Sequence, residues 1–276
     1  MSLFLAGDGF PASDPAAGGI DAAWDEFIQS ASGTGRKRGV RRRRRLARGP
    51  QPTGQTTGAA GGTTPASNIE QGDRQSTETV AEQDVPPPAN DRILVIYTDE
   101  ASARQAAEAI GARNPQLEVI TAPVTTGELA LPDSPDLLGG VVLTPACATT
   151  LLAALAPHRQ ILSTLVRRGT PLLALGSSAA VIGASIPGPE GEPVEALRLV
   201  GVGVSVEPVL NHTIDAMTRS KLRTTVIIDP GTVLRVDAVT GRTKVLGAGR
   251  TTWVGHGEDH FIIHHEPTSA PTGEID

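Results

Sequence analysis

"PLLALGSSAAVIGASI", residues 171–186, is an apolar run that breaks at Gly176-Ser177-Ser178 and resumes in small and apolar residues. Continuous aliphatics ahead of a glycine read as a strand buried on both faces. The small residues after the break read as a helix packed close to the sheet. Two explanations compete for the hydroxyls at the turn. A sharp strand-to-helix turn lifts a side chain out of the sheet and points the next amides at one spot, which is the mechanical logic of a nucleophile elbow. Small residues at such a turn also serve tight packing with no chemistry attached. The stretch departs from G-x-S-x-G, because Ala180 stands at its last position.

Outward from this turn, the same alternation repeats. "RILVIYTDE" reads as a strand, "ASARQAAEAIGARN" as a helix, "QLEVITAPV" as a second strand and "GVVLTPA" as a third. "TTLLAALAPHRQILSTLVRRG" is helical with a break at Pro157 and a stop at Gly169, and "TPLLALG" is the fourth strand. Such a βαβ series predicts an α/β domain with a doubly wound, mostly parallel sheet and helices on both faces. From Leu197 the texture changes to strand-like runs with Asp-Pro-Gly and Thr-Gly turns, interrupted by the helical "NHTIDAMTRSKLRT".

Up to about residue 90 the composition is different: Gly, Ala, Thr, Ser, Pro and Gln dominate, and large aliphatics are few. Such a segment does not bury enough apolar surface to offset its chain entropy, so residues 1–90 read as a disordered arm. The folded domain is then expected over 91–265, with 266–276 a frayed tail. Within the arm, Ile20, Ala23, Trp24, Phe27 and Ile28 recur at helical spacing and predict a short amphipathic helix over 20–30, either a local apolar cluster with no role or a segment that folds onto a partner.

The formal charge of −6 conceals an asymmetry. Arg36, Lys37, Arg38, Arg41, Arg42, Arg43, Arg44, Arg45 and Arg48 carry nine of the 24 basic residues, leaving 15 against 30 acidic residues elsewhere. A run of this kind predicts binding of nucleic acid or another polyanion through phosphate-type contacts. With no aromatics interleaved, it offers neither base stacking nor sequence reading. Cys147 is the single cysteine, which excludes an internal disulfide and a multi-cysteine zinc site. No run of 18 apolar residues predicts a membrane span, and "MSLFLAGDGF" has no basic leader segment. The simplest location is cytoplasmic, or nuclear in a eukaryote. His256, His260, His264 and His265 gather near the end of the chain, but a strand-like "HFIIHH" scatters them, so no metal site is expected.

Four stretches in order give the chain a family likeness. "GSSAAV" resembles the G-T-S-A-G-A nucleophile turn of cyanophycinases and aspartyl dipeptidases of the peptidase E type, serine peptidases on a class I glutamine-amidotransferase-like fold. "GGVVLTPACAT" resembles the strand and glycine loop before that turn, "LVGVGVSVEPVLNHT" the segment that leads to the family's histidine, and "VIIDPGTVLRV" with "KVLGAGRTTWV" its closing strands. The likeness covers about residues 92–255. It implies a serine-type peptidase acting on aspartyl peptides, with no metal or cofactor. Carried over by position, Ser178 is the nucleophile, His212 the general base, and Glu192 or Glu195 the carboxylate that orients it, ahead of Glu190 and Glu207. The amides of Ala179 and Ala146 would form the oxyanion hole.

The departures point to an alternative. Pro145-Ala146 replaces the family's Gly-Gly, and proline has no N–H to donate. Cys147 and Ala148 stand where the family has an amide or acid and a glutamine, and Arg219 and Arg223 are displaced from the family's arginines. Set on a glutaminase elbow by its strand, "PLLALGSSAAVIG" puts Gly176 at the nucleophile's position, and Cys147 lies on the loop before it. Thiol-dependent glutamine hydrolysis is therefore not expected. The alternative is a catalytically inactive member of the fold that serves as a binding or scaffold protein.

Overall fold

Ser2–Ala6 (β1) lies in the interior of a seven-stranded sheet, third from one edge. The computed structural model describes residues 2–7, 10, 20–33, 91–125, 128–188, 190 and 192–268. In it, β1 pairs in parallel with β5 (Leu172–Leu175) and antiparallel with β10 (Thr232–Asp237). Beyond β5 come β4 (Leu138–Leu143), β2 (Arg92–Tyr97) and β3 (Glu118–Pro123), all parallel. Beyond β10 the sheet ends in β11 (Thr243–Gly247), paired antiparallel.

The register explains why these strands are apolar on both faces. Leu3, Leu5, Leu94, Ile96, Val141, Leu143 and Leu172 belong to one core, together with residues of α3 (Ala148–Leu155), α4 (Arg159–Arg168) and α5 (Ser178–Ile182). Phe4, Ala6, Ile93, Val95, Val142, Leu173 and Leu175 belong to the other, covered by α1 (Asp21–Ala31) and α2 (Glu100–Arg113). Side chains of alternate residues point to opposite faces, so each strand feeds both cores. The expected doubly wound, mostly parallel sheet is present. The break at Pro157 appears as a 3-10 turn between α3 and α4.

The amino-terminal segment corrects the expected boundary. The fold begins at Ser2, not near residue 91, and residues 2–6 and 20–33 are part of it. The helix α1 sits where the apolar spacing puts it, but its partner is the chain's own sheet. Trp24 and Phe27 are fully buried, and Phe27 meets Phe4 edge-on with ring centroids 6.0 Å apart. Arg113 of α2 pairs with Asp21 and, at 2.9 Å, with Asp25, while its guanidinium lies 6.0 Å from the Trp24 ring centre. Glu26 pairs with Lys244 and, at 2.7 Å, with Arg235. An eleven-residue helix is marginal alone. Burial of each large side chain contributes about 1.5–3 kcal/mol, whereas partly exposed ion pairs contribute about 1 kcal/mol or less. The apolar face therefore holds α1 in place, and the ion pairs fix its register. The arginine run lies outside the described residues.

A second, four-stranded sheet has the order β13-β12-β9-β8, formed by β8 (Gly203–Ser205), β9 (Thr224–Ile228), β12 (Arg250–His256) and β13 (Phe261–Pro267). It carries α6 (Leu210–Ser220) through Met217, which packs with Ile227 and Val254. The strand β13 continues two residues past the expected boundary at 265. A short hairpin of β6 (Ser185–Pro187) and β7 (Pro193–Glu195) joins α5 to this part. Among the described residues, no helix is long and apolar enough to cross a membrane.

Candidate functional site

The strand β5 ends at Leu175, and the chain turns at Gly176 with φ +56°. Ser177 follows in right-handed helical conformation (φ −56°, ψ −23°), and α5 starts at Ser178. The left-handed position of the turn is therefore a glycine. An L residue pays a steric cost there, and in a nucleophile elbow the sharp, strained turn is what lifts the nucleophile above the sheet. Space is not the obstacle at this position. A Cβ on Gly176 would meet Pro145 at 3.6 Å, an ordinary contact.

Ser178 lies one helical step inside the turn. It is fully buried, and its Oγ donates to the carbonyl oxygen of Thr144 at the end of β4. It does not line the cavity next to the turn. Ser177 does, and its Oγ donates to the carbonyl of Ala146 at 2.6 Å. The serine that lines the cavity is thus the neighbour of the residue expected from the motif. The Ala179 amide donates to the Gly176 carbonyl at 2.9 Å, so it is used inside the turn and does not form an oxyanion hole. The carbonyl oxygen of Ala146 accepts the Ser177 hydroxyl.

His212 stands in the first turn of α6 and lines the same cavity as Ser177. Its side chain is 67% exposed. The carboxylate beside it is Glu207, 3.6 Å from Nδ1, and neither Glu192 nor Glu195 takes that place. Glu192 accepts from the Glu190 amide at 2.9 Å within the hairpin loop. Glu195 pairs with Arg159 at 3.2 Å and Arg198 at 3.7 Å on the surface. Ser177, His212 and Glu207 therefore line one cavity, and Ser178, Glu192 and Glu195 are not among its lining residues.

Cys147 is exposed at the amino end of α3. Its Sγ lies 3.2 Å from the Thr149 hydroxyl. That hydroxyl, followed by the Thr150 amide, holds the thiol down at about 7. The terminal histidines are dispersed: His256 stacks on Phe261 at 4.5 Å, and Nδ1 of His265 lies 2.9 Å from the Thr252 hydroxyl. Among the described residues, no three ligand-type side chains gather for a metal ion.

The cavity has a volume of about 400 Å³, at the lower end of the range of small-molecule sites. Its inner wall is formed by Ile186, Val204 and Met217, all buried, with Leu222 beside them. Two further buried residues, Thr213 of α6 and Thr225 of β9, complete that wall. Sequence reasoning missed both. The one available signal was Thr213's place beside His212 on a helix.

No protein-family model matches the sequence, and no curated protein does. Solved structures do match. A peptidase from an acI-B1 Actinobacterium superposes over 98% of this chain and 95% of its own, with 13% sequence identity and a TM-score of 0.57. The fold is one shared with a peptidase. A Listeria monocytogenes EGD-e protein assigned to peptidase E matches over 64% of this chain and 86% of its own, with 11% identity and a TM-score of 0.38. At such identities the likeness is one of architecture, and the function has to be argued from the site.

Proposed function

We propose that this peptidase-fold chain is a ligand-binding protein that does not cleave peptides through its elbow. The reading is carried by one observation: Gly176, which has no side chain, occupies the left-handed position of the turn. Three further features support it. Ser178 donates its hydroxyl to a buried carbonyl, the Ala179 amide is used within the turn, and Pro145 has no N–H to offer. A serine with its hydroxyl held in this way is a poor nucleophile. The cavity beside the elbow is the binding site in this reading, and a small-molecule or peptide ligand is its content.

One observation favours a second reading. Ser177 and His212 line one cavity, and Glu207 stands beside the imidazole. A displaced nucleophile–base–carboxylate set would make the chain a weakened serine peptidase. The test is hydrolysis of aspartyl dipeptides by wild type, Ser177→Ala, Ser178→Ala and His212→Ala. Binding without cleavage gives no free amino acid above buffer in all four. Turnover in wild type that disappears in Ser177→Ala and His212→Ala, but survives in Ser178→Ala, establishes the second reading.

A further inference from the structure

We propose that the chain pairs with a second copy of itself about a two-fold axis, with Val239 of each copy seated in an apolar cavity of the other. This cavity has a volume of about 340 Å³ and shares no lining residue with the one beside Ser177. Leu199, Val200, Val202, Leu234, Val236 and Trp253 form most of its wall. Its one ionisable lining residue, Asp237, is engaged in a turn: Oδ1 accepts from the Val239 amide at 2.9 Å and from the Thr240 amide at 2.8 Å. The cavity therefore offers a guest apolar surface.

The same turn supplies the knob. Residues 238–242 join β10 to β11, and Ala238 and Gly241 of this loop line the cavity. Val239 stands between them and is 72% exposed, the most exposed large apolar side chain among the described residues. The bonds to Asp237 Oδ1, and a 2.8 Å bond from the Gly241 amide to the Asp237 carbonyl, hold the loop in one shape. Little freedom is then lost when the loop is docked. Ile262 extends the apolar surface. Trp253 stands opposite His264, so Ile262, His264 and Glu266 share the face of Trp253, and Ile262 is 59% exposed. Apolar residues scattered singly over a surface need no explanation, but a protruding one that adjoins an apolar cavity forms a continuous patch.

A knob beside a hole on one surface is complementary to itself. A two-fold axis between them fills both holes at once and closes the assembly at two copies. Charge agrees with a second copy as the occupant. Arg242, on the same loop as Val239, is exposed, and its guanidinium has no carboxylate partner among the described residues. Glu266 accepts from the Trp253 indole at 3.0 Å and pairs with no cation among the described residues. A loop docked in the cavity brings its Arg242 toward Glu266 of the partner subunit, beside the tryptophan of that cavity. The axis makes this pair twice.

The test is sedimentation equilibrium of the full-length chain from about 1 to about 100 µM, the range in which a small interface dissociates. Wild type is expected to form a dimer and nothing larger. Val239→Asp removes the knob. Gly201→Leu fills the hole from within, because Gly201 lines the cavity and a Cβ there meets nothing within 4 Å. Each contact occurs twice, so each variant is expected to weaken the dimer at least about tenfold, without a lower melting temperature at about 1 µM. Arg242→Glu and Glu266→Arg are each expected to weaken it by a similar factor, and together to return it to within about threefold of wild type. The double variant also lacks the bond from Glu266 to Trp253, so the recovery has to come from the swapped pair. A chain that stays monomeric at about 100 µM overturns the proposal and assigns this surface to a different protein. A dimer unaffected by Val239→Asp or by Gly201→Leu overturns it too, as do growth beyond two copies and a double charge variant no tighter than the single ones.

Discussion

The hydroxyl of Ser178 donates to the main-chain carbonyl of Thr144, so a residue with the sequence signature of a nucleophile ties α5 to the end of β4. The bond is buried on both sides, since Thr144 is 1% exposed and Ser178 is fully enclosed. A buried carbonyl that loses its donor costs about 1–3 kcal/mol.

Ser178→Ala is therefore expected to lower unfolding stability by that amount in urea titrations, with no change in the m-value. It is expected to leave ligand affinity at the cavity unchanged. An alanine variant as stable as wild type, with altered binding or turnover, would return Ser178 to a role in chemistry.

Gly176→Ala tests the turn itself. Its Cβ has room beside Pro145, so the cost is conformational and amounts to about 1–2 kcal/mol for the left-handed backbone. The melting temperature should drop while a crystal structure of the variant shows the same turn. A flipped or rebuilt turn would mean that the left-handed position is not fixed by the flanking bonds, among them the 3.0 Å bond from the Gly176 amide to the Ala6 carbonyl.

Trp24→Ala and Phe27→Ala test whether α1 belongs to the core. Truncation of a fully buried aromatic costs about 3–5 kcal/mol, enough to unfold a marginal domain. A helix that docks only on an external partner would give no such loss, so equal denaturation midpoints for wild type and both variants would detach α1 from the fold.

Cys147 gives a pH-dependent readout. With its thiol at about 7, alkylation by iodoacetamide should rise with pH through a midpoint near 7, where an ordinary thiol would do so near 8.5. The thiolate is the form favoured by the Thr149 hydroxyl, so Thr149→Val should move the midpoint upward. A midpoint that stays in place in that variant would remove Thr149 as the cause.

The parallel half of the sheet was legible because each strand announces itself locally. "RILVIY" and "PLLALG" are apolar on both faces and are bounded by helical stretches of different period. "SLFLA" has the same pattern, with Leu3 and Leu5 on one face and Phe4 and Ala6 on the other. It was missed because its pairing partners lie about 170 and 230 residues further on, and the polar composition after it suggested a disordered arm. At the site, the structure sets Ser177 on the cavity and Ser178 inside α5. Consecutive residues on a helix point about 100° apart, so one step in register exchanges the cavity-facing Ser177 for the buried Ser178.

The interior place of β1 has a consequence for biosynthesis. This strand leaves the ribosome long before either β5 or β10 has been translated, and it cannot be flanked on both sides until Thr232 and the residues after it have emerged. Until β5 emerges, an apolar five-residue segment waits without strand neighbours, and the seven-stranded sheet closes by linking distant parts of the polypeptide. Nascent chains stalled before β10 should be the aggregation-prone species, the ones a holding chaperone protects until that strand has emerged.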